Sequence, residues 1–402
     1  MVTRGLVLAC ATLLALTTGC ASVEEARGTD ERPVEQVGDP VAEARLGGTE
    51  PGSLVSATRA QPVMPPNALL PSHAARVVYV STNGDTGKRT QVSGSVFVPA
   101  GQVPEGGWPV IAYAHGNTGF NRSCAPSLST TYGGFAPQIS SFVGAGFAVA
   151  MPDYQGLGEG PPNPFLDART EGLNLIDSVR ALRAAFPDVS NRWGTIGGSQ
   201  GGGAVWGATE EAGTYADELD LVGGVSLSPP ADLSGLVDKS LAGTMTREQT
   251  PALQGLVEAL ARIHPSLDRD DYRSEQAARD WEVLSACDGE LQSQRDLAVR
   301  RLGPDSIRPR TAAAAYRLRG YLTDWALPHR KVSAPLYVVF SSTDPYVDSA
   351  WTAAALQRAC ALGGRIRFQL QTDRGHADLE ITHQISWLVK RFAGSKVRSD
   401  CP

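Results

Sequence analysis

The chain has 402 residues, of which 42% are hydrophobic and 19% are charged, and its formal net charge at pH 7 is -6. This mixture is typical of a globular protein, because disordered chains have less apolar surface to bury and collagen-like chains need a strict glycine period. An acidic chain without a Lys/Arg-rich run also lacks the basic surface that binds phosphates. We therefore expect no nucleic-acid partner.

The N-terminal residues predict export from the cell. Arg4 precedes an apolar run over residues 5–16, and small residues follow up to Cys20. This order is that of a signal peptide, which we assign to residues 1–20, and the run is too short to span a bilayer. The Gly-Cys ending resembles a bacterial lipobox, in which Cys20 would carry a lipid. Secretion and anchoring to the bacterial cell surface through Cys20 both stay open, and each makes the protein extracytoplasmic.

The segment after the signal peptide has the composition of a tether. Residues 21–62 are rich in Glu, Gly, Pro, Thr and Ala and contain few large apolar residues. Such a segment has little surface to bury, which predicts a disordered tether.

The cysteines agree with export. Setting aside Cys10 and Cys20 leaves an even number in an exported chain, which predicts two disulfides, but the residues alone allow three pairings. No CxxC or Cys/His spacing suited to zinc occurs, so we expect no metal site. The remaining cysteines are Cys124, Cys287, Cys360 and Cys401.

Short β-forming runs alternate with helical periodicity along the rest of the chain. Two such runs flank the turn at residues 83–87 and predict a hairpin. Strands that alternate with helices indicate an α/β fold, in which a mostly parallel central sheet is flanked by helices. The predicted strands are residues 76–81, 91–98, 109–114, 147–151, 193–196, 221–227, 335–340 and 366–370.

One segment interrupts the alternation. Residues 232–328 contain no convincing buried strand, whereas Leu253, Leu256 and Leu260 recur at helical spacing. This predicts a helical cap or lid inserted into a sheet domain made of residues 63–231 and 329–402. The apolar helix face either faces a lipid-like ligand or packs on the core.

The strongest motif is Gly197-Gly198-Ser199-Gln200-Gly201. It follows a predicted strand and precedes a helix of small residues, as a nucleophile elbow requires. Glycines around the serine let neighbouring backbone pass a strained, tight turn. The alternative is a flexible glycine-rich loop. We predict that Ser199 is a nucleophile.

A serine nucleophile needs a base and an acid, which follow it in the chain in this fold. His376 lies between the last predicted strand and the final helix and is the predicted base. Asp344 directly follows strand 335–340 and is predicted to hold the imidazole tautomer. Asp348 is the fallback acid, although it is also placed to cap a helix. The other histidines are His73, His115, His264, His329 and His383.

Two backbone donors should form an oxyanion hole. One is the N–H of Gln200, next to the nucleophile, and the other is expected from the loop after strand 109–114. In that loop Gly116 permits close approach of the backbone, and Asn117 is the predicted donor. His115 is interpreted as a residue that shapes the loop.

These motifs together resemble the secretory lipase family of α/β-hydrolases. The resemblance covers roughly residues 62–402 and rests on residues 109–119, 124–127, 152–158 and 197–203. It implies an extracellular carboxylester hydrolase, of the triacylglycerol lipase or carboxylesterase type, with a helical cap over an acyl pocket. One departure is the elbow itself, because fungal members usually have Tyr before and Gly after the serine.

The resemblance also assigns residues. Ser199, Asp344 and His376 match the family's nucleophile, acid and base. The family's disulfide pattern would join Cys124 to Cys287 and Cys360 to Cys401.

The expected reaction is hydrolysis of an acyl ester through an acyl-enzyme on Ser199, without a cofactor. We expect a small-molecule or lipid ester as substrate, a monomer, and association with a membrane surface only through a lipid on Cys20. A serine peptidase or an acyltransferase would use the same triad, with an acidic pocket suited to a peptide amine and an apolar tunnel suited to an acyl chain. A non-catalytic lipid-binding lipoprotein is a further alternative, against which the intact triad argues.

Overall fold

The computed structural model describes residues 38–402 except Asn67 and Asp288. The predicted signal peptide, Cys20 and the first part of the predicted tether lie outside the described residues.

In the described part of the chain, nine strands form one sheet in the order β1-β2-β3-β5-β4-β6-β7-β8-β9. Strands β1 to β3 are antiparallel, β3 pairs antiparallel with β5, and the pairs from β5 to β9 are parallel. The strands are β1 (Leu54–Arg59), β2 (His73–Thr82), β3 (Arg89–Val98), β4 (Trp108–Ala114), β5 (Ala148–Pro152), β6 (Val189–Gly198), β7 (Asp220–Leu227), β8 (Leu336–Ser341) and β9 (Ile366–Gln371).

Helices cover both faces of this sheet. Along β4, Val110 and Ala112 pack in the same core as Leu175 of the second helix, whereas Ile111 packs in another core with Trp387 of the last helix. The helices are α1 (Ala136–Gly144), α2 (Ala168–Ala185), α3 (Gln200–Tyr215), α4 (Gly235–Ala242), α5 (Gln249–Ile263), α6 (Glu275–Leu284), α7 (Gly289–Arg301), α8 (Ala312–Asp324), α9 (Ser349–Ala361) and α10 (Thr382–Phe392). Strands buried on both faces explain the continuous apolar runs in the sequence, and the predicted α/β fold is confirmed.

The eight predicted strands each overlap a strand of the sheet, but the predicted tether over residues 21–62 is wrong in its described part. Strand β1 lies within it and pairs antiparallel with β2, and Val41 and Leu54 are buried. Backbone bonds extend the segment further, since Val41 N donates to Ala57 O at 3.0 Å. An edge strand takes its hydrogen bonds from its neighbour and needs few buried side chains, so a low content of large apolar residues did not exclude it.

Between β7 and β8 the described residues contain the five helices α4 to α8 and no strand of the sheet. Helices α4, α5, α6 and α8 contribute to one hydrophobic core, in which Leu253, Leu256 and Leu260 are fully buried with Leu318. The apolar face of α5 therefore packs in a core that also contains Phe120 and Phe165 from outside residues 232–328, as the second of the two interpretations above expected. The division of the chain into a core and a cap at residues 232 and 328 stays a prediction.

Two disulfides are present. They join Cys124 to Cys287 and Cys360 to Cys401, the pairing that the resemblance implies. The first links the segment after β4 to the connection between α6 and α7. The second links α9 to the C-terminal segment. Within the described ranges, none of the helices is long and apolar enough to cross a membrane.

Candidate active site

Ser199 lies at the junction between β6 and α3, at the carboxyl edge of the parallel strands. Its backbone has φ 58° and ψ -123°, in the left-handed half of conformational space that non-glycine residues rarely adopt. Ser199 N donates to Leu227 O of the neighbouring strand at 2.9 Å, which holds the strained turn in place. The motif is thus a strand-turn-helix junction rather than an open glycine-rich loop.

The flanking glycines are required by close backbone packing. A Cβ added to Gly201 would lie 2.0 Å from Ala114 O, and one added to Gly197 would lie 2.4 Å from the same oxygen. Only a residue without a Cβ lets the first turn of α3 rest against the end of β4. This packing keeps the serine beside the loop that follows β4.

His376 connects Ser199 to Asp344. His376 Nε2 lies 2.8 Å from Ser199 Oγ, and His376 Nδ1 lies 2.6 Å from Asp344 Oδ2. The other carboxylate oxygen, Asp344 Oδ1, accepts from the N–H groups of Tyr346 at 2.8 Å and Val347 at 3.0 Å. The Asp344 side chain is 2% exposed and that of His376 is 12% exposed. The three predicted residues, far apart in sequence, form one continuous chain of hydrogen bonds.

Other side chains hold the His376 loop. Ser228, which follows β7 with φ 43°, donates through Oγ to His376 O at 2.9 Å. Thr343 Oγ1 donates to Arg374 O at 2.5 Å, and the ring of Tyr346 lies 4.7 Å from that of His376. Sequence reasoning missed these residues, although a serine directly after a parallel strand is a usable signal, because such strand ends meet at one edge of the sheet.

The fallback acid, Asp348, is not part of this chain of hydrogen bonds. Its carboxylate accepts from Lys239 Nζ at 2.9 and 3.0 Å and from Gln249 Nε2 at 2.9 Å. It is the N-cap residue of α9, as the sequence predicted, but its side chain makes no capping hydrogen bond there. Asp348 instead ties the start of α9 to α4 and α5 of the insertion.

Two of the predicted oxyanion-hole residues, Gln200 and Gly116, lie beside the nucleophile. Gln200 is the first residue of α3, where an N–H group has no acceptor within the helix and the helix dipole is positive. A Cβ added to Gly116 would lie 4.0 Å from the Cβ of Ser199, so this backbone runs beside the serine. Asn117 is exposed, and its Oδ1 accepts from Gly119 N at 2.7 Å, which turns the loop.

The side chain of Gln200 has a partner that sequence reasoning missed. Gln200 Nε2 donates to Glu171 Oε1 at 2.7 Å, and the same oxygen accepts from Leu166 N at 3.1 Å. Both side chains are buried. Burial raises the pKa of Glu171 well above its usual range. A glutamate in the first turn of α2 carries no catalytic motif, so nothing in the sequence singled it out.

Asp153 connects two further motifs of the resemblance, residues 124–127 and residues 152–158. Its carboxylate accepts from Ser93 Oγ at 2.6 Å, from Ser127 N at 2.8 Å and from Ser127 Oγ at 2.5 Å. These bonds fix the segment that carries Cys124 beside the end of β5. Nowhere among the described residues do three or more His, Cys, Asp or Glu side chains gather as a metal ion would require.

A mostly parallel sheet, with a serine at a strand-turn-helix junction and an aspartate and a histidine from later loops hydrogen-bonded to it in series, is the architecture of the α/β-hydrolases. Within that class, the Secretory lipase family matches the chain over residues 128–400, and the chain belongs to this family. The predicted resemblance is confirmed. Membership in a secretory family, together with the disulfides, indicates an extracellular protein.

Several known proteins resemble this chain in sequence or in fold. A protein of Mycobacterium tuberculosis named "Probable inactive lipase" is 26% identical over 350 residues, which are 81% of this chain and 74% of that protein. A secreted triacylglycerol lipase of Malassezia furfur is 22% identical over 306 residues, 70% of this chain and 60% of that protein. The closed state of Candida antarctica lipase A superposes with a TM-score of 0.70 at 17% identity, over 90% of this chain and 87% of the other, and shares the fold. Membership in the family therefore supports a lipolytic hydrolase, and the solved structure shows the shared fold.

Proposed function

We propose that this protein is a serine carboxylester hydrolase that cleaves acyl esters, lipid esters among them, through Ser199, His376 and Asp344. The observation that carries the proposal is the continuous hydrogen-bond chain from Ser199 Oγ through His376 to Asp344 Oδ2, at 2.8 and 2.6 Å. Its serine stands on a backbone turn with positive φ. No other histidine donates to or accepts from Ser199 in the described part of the chain.

The reaction follows from this arrangement. Ser199 Oγ attacks the ester carbonyl carbon while His376 Nε2 takes its proton, and the carbonyl oxygen becomes an oxyanion. The N–H groups of Gln200 and Asn117 stabilise that charge. The alcohol leaves with the proton held by His376, and an acyl-enzyme remains on Ser199. A water molecule, deprotonated by His376, then releases the acid and restores the serine.

The buried acid sets the direction of proton transfer. Because Asp344 accepts at His376 Nδ1, the imidazole keeps its proton on Nδ1 and presents a lone pair at Nε2 to Ser199. Asp344 also stabilises the imidazolium that forms in the transition state. Its two backbone hydrogen bonds hold the carboxylate in the plane that this requires.

The substrate class is supported by the family and by the triacylglycerol lipases among the relatives. The relative named "Probable inactive lipase" supports the alternative of a protein without catalytic activity, such as a lipid-binding lipoprotein. Against that alternative, each element of the triad is present here and hydrogen-bonded. The proposal includes a monomeric enzyme that acts outside the cell, secreted or anchored through Cys20.

The test is labelling with a fluorophosphonate probe. Wild-type protein should be labelled stoichiometrically, Ser199→Ala should not be labelled, and Ser141→Ala, which changes an exposed serine on α1, should be labelled like the wild type. Unlabelled wild type, or equal labelling of Ser199→Ala, contradicts the proposal and favours the non-catalytic lipoprotein.

The acyl-chain preference is measured with p-nitrophenyl esters of increasing length. Hydrolysis that continues to long acyl chains supports a lipase. A maximum at acetate or butyrate with no activity beyond would leave an esterase. Cleavage of peptide amides at a higher kcat/KM than any ester would support the peptidase alternative.

A further inference from the structure

A histidine that the triad does not use lies under the oxyanion loop. His115 directly follows β4 and is completely buried. Its Nδ1 lies 2.6 Å from Gly116 O, and its Nε2 lies 3.3 Å from Asp153 O. The imidazole lies 4.4 Å from the ring of Tyr154, tilted by 34°, and 5.6 Å from that of Phe135. The ring therefore has two aromatic neighbours and a backbone carbonyl oxygen near each nitrogen.

The protonation of the ring decides which contact is a hydrogen bond. Burial lowers the pKa of His115, so the imidazole is neutral at pH 7 and has one N–H to donate. Gly116 O is the nearer of the two carbonyl acceptors, at 2.6 Å against 3.3 Å for Asp153 O. The proton belongs on Nδ1, and the strong bond runs from His115 Nδ1–H to Gly116 O.

This bond fixes the peptide between Gly116 and Asn117. The C=O and N–H of a trans peptide point in opposite directions, so turning Gly116 O towards the imidazole turns Asn117 N–H away from it. Asn117 N–H has no protein acceptor among the described residues, and Asn117 is exposed. The preceding peptide is also held, because Tyr154 OH donates to His115 O at 3.0 Å.

We infer that His115 is a positioning residue for the reaction, which holds the peptide of Gly116 so that Asn117 N–H faces the oxyanion formed at Ser199. The inference rests on the proposed function. Its geometric basis is that the same peptide touches the imidazole on one side and runs beside the nucleophile on the other, with the Gly116 Cβ position 4.0 Å from the Cβ of Ser199. An oxyanion donor must be in place before charge develops, since reorganisation at the moment of reaction removes its advantage.

The test compares substitutions that keep or remove the donor. His115→Phe retains an aromatic ring between Tyr154 and Phe135 but has no N–H. His115→Asn places an amide nitrogen near the former Nδ1. Losing one oxyanion donor lowers kcat by about 10²- to 10³-fold in other hydrolases, and misorienting one should lower it by about 10- to 100-fold. We expect this loss in kcat with little change in KM for the phenylalanine variant, and recovery to within about fivefold of wild type for the asparagine variant.

A matched control is available in the insertion. His264 stacks at 4.2 Å on Tyr321, and its Nε2 has no partner among the described residues. His264→Phe makes the same chemical change away from Ser199 and should leave kcat unchanged. Should His115→Phe fail to fold, His115→Leu, which has nearly the shape of asparagine without its donor, gives the same comparison.

A spectroscopic measurement separates positioning from packing. An alkyl trifluoromethyl ketone reacts when Ser199 Oγ adds to its carbonyl carbon, the Oγ proton moves to His376, and the carbonyl oxygen becomes the oxyanion of a hemiketal. The pKa of that hemiketal hydroxyl, followed by ¹³C NMR, reports stabilisation of the oxyanion. We expect it to rise by about one to two pH units in His115→Phe, equivalent to a 10- to 100-fold loss.

Several results would overturn the role of His115. They are wild-type kcat in His115→Phe, equal losses in the phenylalanine and asparagine variants, or a lower kcat with an unchanged hemiketal pKa. Failure of the proposed function looks different, because a wild-type protein that hydrolyses no ester and forms no hemiketal would refute the chemistry before any variant is compared.

Discussion

Replacing Asp344 by asparagine should disable the reaction while leaving the fold nearly intact. In the wild type, Asp344 Oδ1 accepts two backbone N–H groups and Oδ2 accepts from His376 Nδ1. An asparagine that keeps its oxygen on the backbone donors turns its NH₂ group towards His376. The imidazole must then move its proton to Nε2, which leaves no lone pair to accept the proton of Ser199.

The size of the effect follows from this tautomer. In a serine protease the equivalent change lowers kcat about 10⁴-fold, or roughly 5 kcal/mol at about 1.36 kcal/mol per tenfold. We expect Asp344→Asn to lower kcat by about 10³- to 10⁴-fold with KM within a few-fold of wild type, because the change acts in the transition state. Losing one charge-assisted hydrogen bond should lower the free energy of unfolding by only about 1.5–3 kcal/mol.

The assay is steady-state hydrolysis of p-nitrophenyl butyrate, with guanidinium unfolding as the stability measurement. Asp348→Asn is the matched control, since this second carboxylate lies four positions along the chain and is bonded to Lys239 and Gln249 instead of a histidine. It should keep kcat within about twofold. A kcat for Asp344→Asn within tenfold of wild type, or a larger loss in Asp348→Asn, would refute the assignment of the acid.

Three further predictions concern the supports of the site. Burial raises the pKa of Glu171, so the folded protein binds a proton on this carboxyl more tightly than the unfolded chain does. The free energy of unfolding should therefore fall as pH rises from about 4.3 towards the raised pKa. Glu171→Gln should flatten that decline in denaturation series at pH 5, 7 and 9. Gly201→Ala brings a Cβ to 2.0 Å from the carbonyl oxygen of Ala114, the last residue of β4, and should lower both Tm and kcat. Gly320→Ala on α8 is the control, since a Cβ added there has no neighbouring atom within 4 Å. It should leave kcat unchanged and raise the free energy of unfolding by up to about 1 kcal/mol. The Cys124–Cys287 disulfide joins residues 163 positions apart, whereas the C-terminal disulfide joins residues 41 positions apart. In the chain-entropy model, removal by paired Cys→Ser changes should lower the free energy of unfolding by about 5 kcal/mol for the first disulfide and about 4 kcal/mol for the second. A smaller loss for the longer loop contradicts that model here.

The sequence predicted those parts of the site in which the local backbone or the order of the strands restricts which residue can occupy a position. Ser199 was identifiable because glycines at positions 197 and 201 have a steric reason visible in the pattern strand, glycine, serine, glycine, helix. Asp344 and His376 followed from the order of strands, since each lies in the loop that follows a strand of the parallel sheet. Such positions depend on the order of elements along the chain, which can be read directly from the sequence.

What sequence did not predict depends on which side chains meet in space. Glu171 and Gln200 are 29 residues apart and belong to two helices packed against each other, so neither has a local signature. Strand β1 was missed for a different reason, because composition measures how much a segment can bury and not whether a neighbouring edge is free to pair with it. Val41 and Leu54, both buried, supply the apolar anchors that the average over residues 21–62 concealed.

Family membership does not by itself decide whether this chain is an active enzyme, because a fold and its chemistry depend on different residues. The sheet and its helices are stabilised by some tens of buried apolar side chains, most of which tolerate exchange for another of similar size. Activity depends on a few polar atoms held within a fraction of an ångström. At 26% identity the relative named as an inactive lipase can therefore share the fold and lack the reaction. In this chain the atoms of the proposed triad are hydrogen-bonded in series, since one carboxylate oxygen, two imidazole nitrogens and one hydroxyl lie in sequence at 2.6 and 2.8 Å.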